Sequence, residues 1–212
     1  MSPMSLIGKV DGVCPAGCEP AEYEVVTFVS GHEEEDLRLA LLACELNLVM
    51  CQTCGKPFFP DTTLIYSDLR IGMTAFVFPE TYKIEEAKWR TKMEADYAQM
   101  RLALGSQMPL ASVPEIFFGY PAIAGVLQGE DDREDEAMVA DYLLKGLGLT
   151  RLDVDPAFAR ARQLPRFVPL KGKEWSVEAA RAGVDALLKA NDRLVSFAGW
   201  RDVAEAPPRP LK

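Results

Sequence analysis

Four cysteines in two closely spaced pairs are the residues of this sequence best suited to chemistry. They are Cys14, Cys18, Cys51 and Cys54. Each pair lies on a short segment with a glycine, Gly17 inside the first and Gly55 directly after the second. Thiols two to four residues apart suit a tetrahedral zinc ion, which takes a closed shell of four cysteines when its role is structural. The sequence therefore predicts one structural zinc ion held by these four side chains.

Other interpretations of the four thiols stay open at this point. Disulfides are disfavoured because the chain shows no secretory leader and is expected to be cytoplasmic. A thiol redox sensor would oxidise either pair and eject the metal. Catalytic zinc is the least favoured, because such a site keeps an open position and usually recruits histidine or carboxylate ligands. The sequence has a single histidine, His32.

Composition limits the class of partner. The 212 residues include 23 basic and 32 acidic side chains, for a formal net charge of −9. Four thiolates around one dication would change that charge by −4 and +2, to −11. An acidic chain repels phosphate backbones, so nucleic acid is disfavoured as a partner. No apolar run approaches the roughly 20 residues that cross a bilayer, so no membrane association is expected.

Other chemistry-bearing residues have simpler interpretations. The acidic run of residues 33–36 is predicted to open a helix, where the helix dipole favours carboxylates. The run of residues 130–136 is predicted to be an acidic turn and helix start, without the glycine-centred order of a calcium loop. Both runs are interpreted as solvated. His32 is interpreted as a surface or capping-region side chain, and Cys44 as a small buried hydrophobe on a helix face.

Periodicity predicts the elements that must position the cysteines. Residues 23–29 are rich in β-branched and aromatic side chains and should form a strand. Residues 63–66 and 71–78 should form a hairpin. A long helix is predicted over residues 82–104, because apolar residues recur three or four apart along it. Near the end of the chain, Ser176 is predicted to cap a last helix.

A family resemblance follows from the two cysteine pairs together with "LRLALLACELNLVMCQTCGKPF" and "TLIYSDLRIGMTAFVFPE". These segments resemble the CpXC domain, a bacterial and archaeal family of uncharacterised function, over about residues 8–80. A further similarity, "EIFFGYPAIAGVLQGEDDREDEAMVADYLLK", extends to near residue 145. The usual knuckle of that family is Cys-Pro-x-Cys. Here the first pair has one extra residue, and Gln52 stands where proline is usual.

The resemblance implies a zinc-ribbon-like module with an inserted helix, and it implies no activity. The predicted fold class is therefore α+β. A ribbon-like β module is expected over residues 8–80, a mainly helical region over residues 81–206, and a flexible tail over residues 207–212.

The function expected from the sequence is that of a zinc-binding module that interacts with another protein. The sequence does not predict an oligomeric state. An enzyme is disfavoured, because the sequence has no glycine-rich phosphate loop and no nucleophile elbow. The alternatives are a thiol redox sensor and an enzyme or small-molecule binder with its site between the ribbon and the helical region. The candidate lining of that site is aromatic: Phe117, Phe118, Tyr120 and Tyr142.

Overall fold

The structure is a computed structural model that describes residues 5–104 and 113–210. The chain divides into two compact units, Met1–Val126 and Leu127–Lys212. Strands and helices occur together in both units, so the fold is α+β, as the sequence predicted. Among the described residues, none of the helices is both long enough and apolar enough to span a lipid bilayer.

The described strands, in chain order, are β1 (Leu6–Gly12), β2 (Ala21–Ser30), β3 (Val49–Met50), β4 (Pro57–Phe58), β5 (Leu64–Asp68), β6 (Met73–Phe78), β7 (Glu115–Phe118), β8 (Thr150–Asp153) and β9 (Phe167–Leu170). The α helices are α1 (Glu35–Leu42), α2 (Glu86–Leu104), α3 (Tyr120–Leu147), α4 (Pro156–Ala161) and α5 (Val177–Ala190). Two 3-10 helices span Glu80–Glu85 and Val195–Asp202.

The first unit is built on a mixed five-stranded sheet with the strand order β1-β2-β5-β6-β7. Neighbouring strands are antiparallel in β1–β2 and β5–β6 and parallel in β2–β5 and β6–β7. The β5–β6 pair is the predicted hairpin. Every residue of β6 is buried, as expected for an inner strand covered on both faces.

Helix α2 covers one face of this sheet with the apolar stripe that the sequence predicted. Met93 and Tyr97 are buried in a cluster with Phe76 and Phe78 of β6. Tyr97 meets Phe76 edge to face, with ring centroids 6.2 Å apart. The stripe is therefore core packing, although the side chain of its last member, Leu104, lies outside the described residues.

The parallel connection from β2 to β5 contains the inserted helix. It holds α1 and then the short β3–β4 pair before the chain re-enters the sheet. Helix α1 ends at Leu42, so the prediction that Cys44 lies on its apolar face is wrong. Cys44 has a positive φ of 56°, and backbone in this left-handed region cannot continue a right-handed helix.

The second unit packs α5 against a two-stranded antiparallel sheet of β8 and β9. The Ser176 hydroxyl accepts a hydrogen bond from the Ala179 amide at 3.0 Å, so the predicted cap is confirmed. Residues 195–202 form a 3-10 helix, and Trp200 within it is fully buried. In the predicted tail, the Pro208 carbonyl accepts a bond from the Asp155 amide, and the mobility of that tail stays a prediction.

The acidic run of residues 130–136 lies inside the continuous helix α3, so the predicted turn is wrong. Its side chains have partners within the second unit. Glu130 is buried and pairs with Arg133 at 2.6 Å, and Glu136 accepts two hydrogen bonds from Ser196. A glycine such as Gly129 inside a helix costs roughly 1 kcal/mol of helix stability relative to alanine, and these contacts offset that cost. The run is thus only partly solvated.

Candidate metal centre

The two cysteine pairs lie at the tips of two β-hairpins in the first unit. Strands β1 and β2 pair up to Gly12 and Ala21, and the loop that joins them carries Cys14 and Cys18. Strands β3 and β4 pair at Met50 and Pro57, and the turn between them carries Cys51 and Cys54. Each pair is therefore held by antiparallel pairing on both sides of its turn.

The structure brings the four predicted thiols together. Their Sγ atoms all lie within 4.8 Å of one another, and the Cys14 and Cys54 sulfurs are 3.7 Å apart. A tetrahedral ion with bonds of about 2.3 Å to sulfur separates its ligands by about 3.8 Å. Four sulfurs at nearly this spacing could hold one metal ion. No second group of three or more potential ligands occurs in residues 5–104 and 113–210.

Glycines allow both turns to fold back under the sulfurs. Gly17 has a φ of 79° and Gly55 a φ of 70°, a region that residues with a Cβ rarely adopt. The Gly17 amide donates to the Cys14 carbonyl, and the Gly55 amide donates to the Cys51 carbonyl, each at 2.9 Å. The extra residue in the first pair is thus accommodated within a closed turn.

Backbone amides point at the sulfurs. The amides of Cys54 and Thr53 donate toward the Cys51 sulfur and, against the opposing effect of burial, lower its pKa to about 6. The Ala16 amide donates to the Cys14 sulfur at 3.5 Å. That bond lowers the pKa of Cys14, but burial and the nearby Cys51 and Cys54 sulfurs outweigh it, so the pKa is raised.

The Cys18 thiol differs from the Cys51 thiol in the direction in which its pKa shifts. Its hydrogen bond with Cys54 and its burial raise the pKa of Cys18 to about 12. Without a metal, the cluster thus favours thiolate at Cys51 and thiol at Cys18. Amides that donate to a sulfur stabilise its thiolate form, and the thiolate is the form that binds a metal cation. This arrangement is expected around a sulfur-ligated metal.

Aromatic packing joins the two hairpins close to the cysteine turns. Tyr23 of β2 meets Phe58 of β4 edge to face, with ring centroids 5.3 Å apart. Both rings are buried in one cluster with Cys14 and Cys51. The Tyr23 hydroxyl also accepts a hydrogen bond from the Gln52 amide at 3.4 Å. Sequence patterns do not reveal this support, because its two rings are 35 positions apart in the chain.

The other candidate residues have local roles. His32 is half-buried, with its Nδ1 3.3 Å from the Ser30 hydroxyl. Glu34 accepts hydrogen bonds from the Ser5 amide at 2.9 Å and the Ser30 amide at 3.1 Å, so this part of the acidic run at residues 33–36 is structural rather than solvated. Burial alone would raise the pKa of Glu34, but these hydrogen bonds lower it.

The four aromatic residues of the predicted lining have different surroundings. Phe118 packs against Phe78, with ring centroids 6.1 Å apart, and Phe117 lies in β7. Tyr120 is half-buried at the start of α3, whereas Tyr142 is 86% exposed. Of these four, Tyr120 lines a pocket, which lies wholly within the first unit.

Comparison with known proteins agrees with this geometry. None of the curated proteins and none of the solved structures matches the chain. A model of the CpXC protein family matches residues 13–123, which is more than half of the 212 residues. The matched range contains both cysteine pairs, the inserted helix and all strands of the main sheet except β1. The chain therefore belongs to the CpXC family.

Proposed function

We propose that the four cysteines bind one zinc ion whose role is structural, and that the module it holds together binds another protein. The observation that carries the proposal is the convergence of four Sγ atoms to within 4.8 Å of one another. Zinc prefers four thiolates in a tetrahedron, and the 3.7 Å spacing of the Cys14 and Cys54 sulfurs suits that geometry. Four protein ligands close the shell, which disfavours catalysis at the metal.

A structural ion is needed here because the two hairpins that carry the thiols offer little core of their own. The cluster beneath the cysteines contains two large buried side chains, those of Tyr23 and Phe58. Strands β3 and β4 are two residues long, and a pair of strands this short is at most marginally stable in water. A bound ion would supply the folding free energy that such a small module lacks.

Exposed apolar residues beside the cysteines support a protein partner. Val13 directly precedes Cys14 and is 65% exposed, and Met50 directly precedes Cys51 and is 58% exposed. Because the thiol cluster brings the two cysteines together, it also brings together the segments that carry these side chains. Exposed apolar surface with a polar surround is typical of interaction sites, and methionine is well suited to them.

Site-specific photo-crosslinking tests the interaction. The photoreactive amino acid p-benzoylphenylalanine is placed at position 13 or 50 of the full chain in its native host. We expect irradiation to give covalent adducts with the same protein from both positions. The adducts should disappear when Cys54→Ser is added, because the two segments then lose their common anchor.

The matched control position is Ile84, which is apolar, 94% exposed and distant in sequence from both cysteine pairs. Crosslinking from position 84 should give no such adduct. Equal adducts from all three positions, or none from positions 13 and 50, would remove the support for this interaction surface. Adducts that persist in the Cys54→Ser chain would show that the surface does not need the metal.

A further inference from the structure

A second site is built into the first unit, outside the cysteine cluster. A pocket of about 310 Å³ lies where β6 and β7 end, beside the segment that follows β4. This volume is at the lower end of the range for small-molecule sites, about 300–1,000 Å³. The lining contains none of the four clustered cysteines, so this pocket is distinct from the candidate metal centre.

Aromatic rings form part of the pocket wall. Phe59 and Tyr120 meet edge to face, with centroids 5.7 Å apart and planes at 75°. Phe78 and Pro79 contribute further apolar surface. Both rings belong to the lining, and the π face of an aromatic ring attracts a cation.

The charged groups of the pocket are all acidic. Asp61 and Glu80 lie in the lining, and the described lining contains no lysine, arginine or histidine. Neither carboxylate forms an ion pair with another described residue. The range 1–126 holds nine basic and 17 acidic residues, a net charge of −8, against −1 for 14 basic and 15 acidic residues in the range 127–212. The pocket therefore lies in the acidic unit, whose field attracts cations.

Tyr120 is fixed in place by hydrogen bonds. Its hydroxyl accepts a bond from the Asn47 side-chain amide at 3.0 Å. Asn47 is itself held to β2, because its side chain accepts from the Val26 amide at 2.7 Å and donates to the Val26 carbonyl at 2.9 Å. A ring held in this way gives a ligand a preformed wall, which lowers the entropic cost of binding.

We propose that this pocket binds an alkylammonium group, carried by a free amine or by a lysine side chain. The rings of Phe59 and Tyr120 contact the alkyl carbons and the cationic nitrogen, and Asp61 and Glu80 neutralise its charge. An anionic ligand is disfavoured, because the described lining offers it no basic side chain and would place it beside two carboxylates. A neutral ligand of the same shape gains the apolar contacts and loses the charge interactions.

Titration of the full-length protein, followed by ¹H–¹⁵N NMR, tests this site. The probes are n-butylammonium, its neutral counterpart butan-1-ol, and Nα-acetyl-lysine methylamide. We expect butylammonium to shift the amides of Thr62, Thr81 and Gly119 saturably, with a dissociation constant of about 1 to 10 mM. Butan-1-ol should bind at least about fivefold more weakly. Tighter binding of the lysine derivative would identify a protein side chain as the source, and equal binding would identify a free amine.

Substitutions locate the interaction. Asp61→Asn with Glu80→Gln should weaken butylammonium binding about tenfold, and Phe59→Leu about fivefold. The control is Glu94→Gln, which removes one exposed carboxylate of the same unit from helix α2 and should change the affinity less than twofold. Equal affinities for butylammonium and butan-1-ol, no saturable shift of the three amides, or a double variant that behaves like Glu94→Gln would each overturn the proposal.

Discussion

Replacing Cys51 by serine should abolish metal binding and unfold the two hairpin tips, not merely alter their chemistry. Cys51 is buried in the cluster with Tyr23 and Phe58, and the amides of Thr53 and Cys54 point toward its sulfur. A serine hydroxyl is not deprotonated near neutral pH and is a poor ligand for zinc. Hydrogen exchange followed by mass spectrometry should show peptides of residues 13–20 and 49–58, the two hairpin tips, exchanging at least about 100-fold faster.

The chain supplies a matched control for this substitution. Cys44 is half-buried and lies outside the four-thiol group, so Cys44→Ser makes the same chemical change without touching the cluster. It should retain full metal content and the exchange pattern of the unaltered protein. In both variants, peptides from β9 and α5 of the second unit serve as internal references. A Cys51→Ser protein with unchanged protection of residues 13–20 and 49–58 would contradict a structural role for the metal.

Replacing Asp68 by alanine should destabilise the first unit by about 3 kcal/mol. Asp68 is fully buried at the end of β5 and accepts hydrogen bonds from the Arg70 amide at 2.9 Å, the Arg70 guanidinium at 3.0 Å and the Tyr66 hydroxyl at 3.2 Å. The same guanidinium donates to the Gly31 carbonyl at 3.1 Å. More than half of the Arg70 side chain is exposed and stays hydrated. We therefore expect the loss of stability to lie at the low end of the range for breaking a buried ion pair.

The same residue gives a pH dependence with a definite sign. Burial would raise the pKa of Asp68, but the hydrogen bonds and charge of Arg70 outweigh it and lower the pKa below its ordinary value of 3.8. The carboxylate therefore contributes stability above that value, and the contribution is lost as the pH falls through the lower pKa of the folded state. Urea denaturation should show a constant difference in the free energy of unfolding between the unaltered protein and Asp68→Asn from pH 8 to about 5. This gap should shrink below about pH 4.

The control for this series is Asp11→Asn, an exposed aspartate of β1, which should change stability by less than about 0.5 kcal/mol. A gap that is independent of pH down to acid unfolding would mean that Asp68 does not act through its charge. A gap that widens as the pH falls would mean that folding raises the pKa of Asp68, opposite to the direction expected from its contacts with Arg70.

Local signals explain why much of the metal centre could be predicted from the sequence. Short cysteine spacing and adjacent glycines are properties of a few consecutive residues, and the structure places both pairs on tight turns. That the two pairs meet followed from the chemistry of a four-thiolate shell, not from periodicity. The supporting contact of Tyr23 with Phe58 joins separate hairpins, so no pattern within either segment reveals it.

Failures of prediction came where side-chain contacts override a local backbone preference. Gly129 and the acidic residues after it suggested a turn, yet α3 continues through them because Glu130, Glu134 and Glu136 find partners on the helix or in later segments. The pocket was predicted only in part, since Tyr120 is the one member of its lining that the sequence predicted to line a site. Its lining comes from four separated stretches of chain, and none of them carries a ligand-binding motif.

The most direct test of a zinc-held module is elemental analysis of the purified protein combined with a count of free thiols before and after chelation. We expect one zinc ion per chain. We also expect four of the five thiols to become reactive only when a strong chelator removes the metal, while Cys44 reacts independently of it. A protein with no bound metal and fewer than five titratable thiols would show that the cysteine pairs are oxidised, and it would contradict a structural zinc ion at this site.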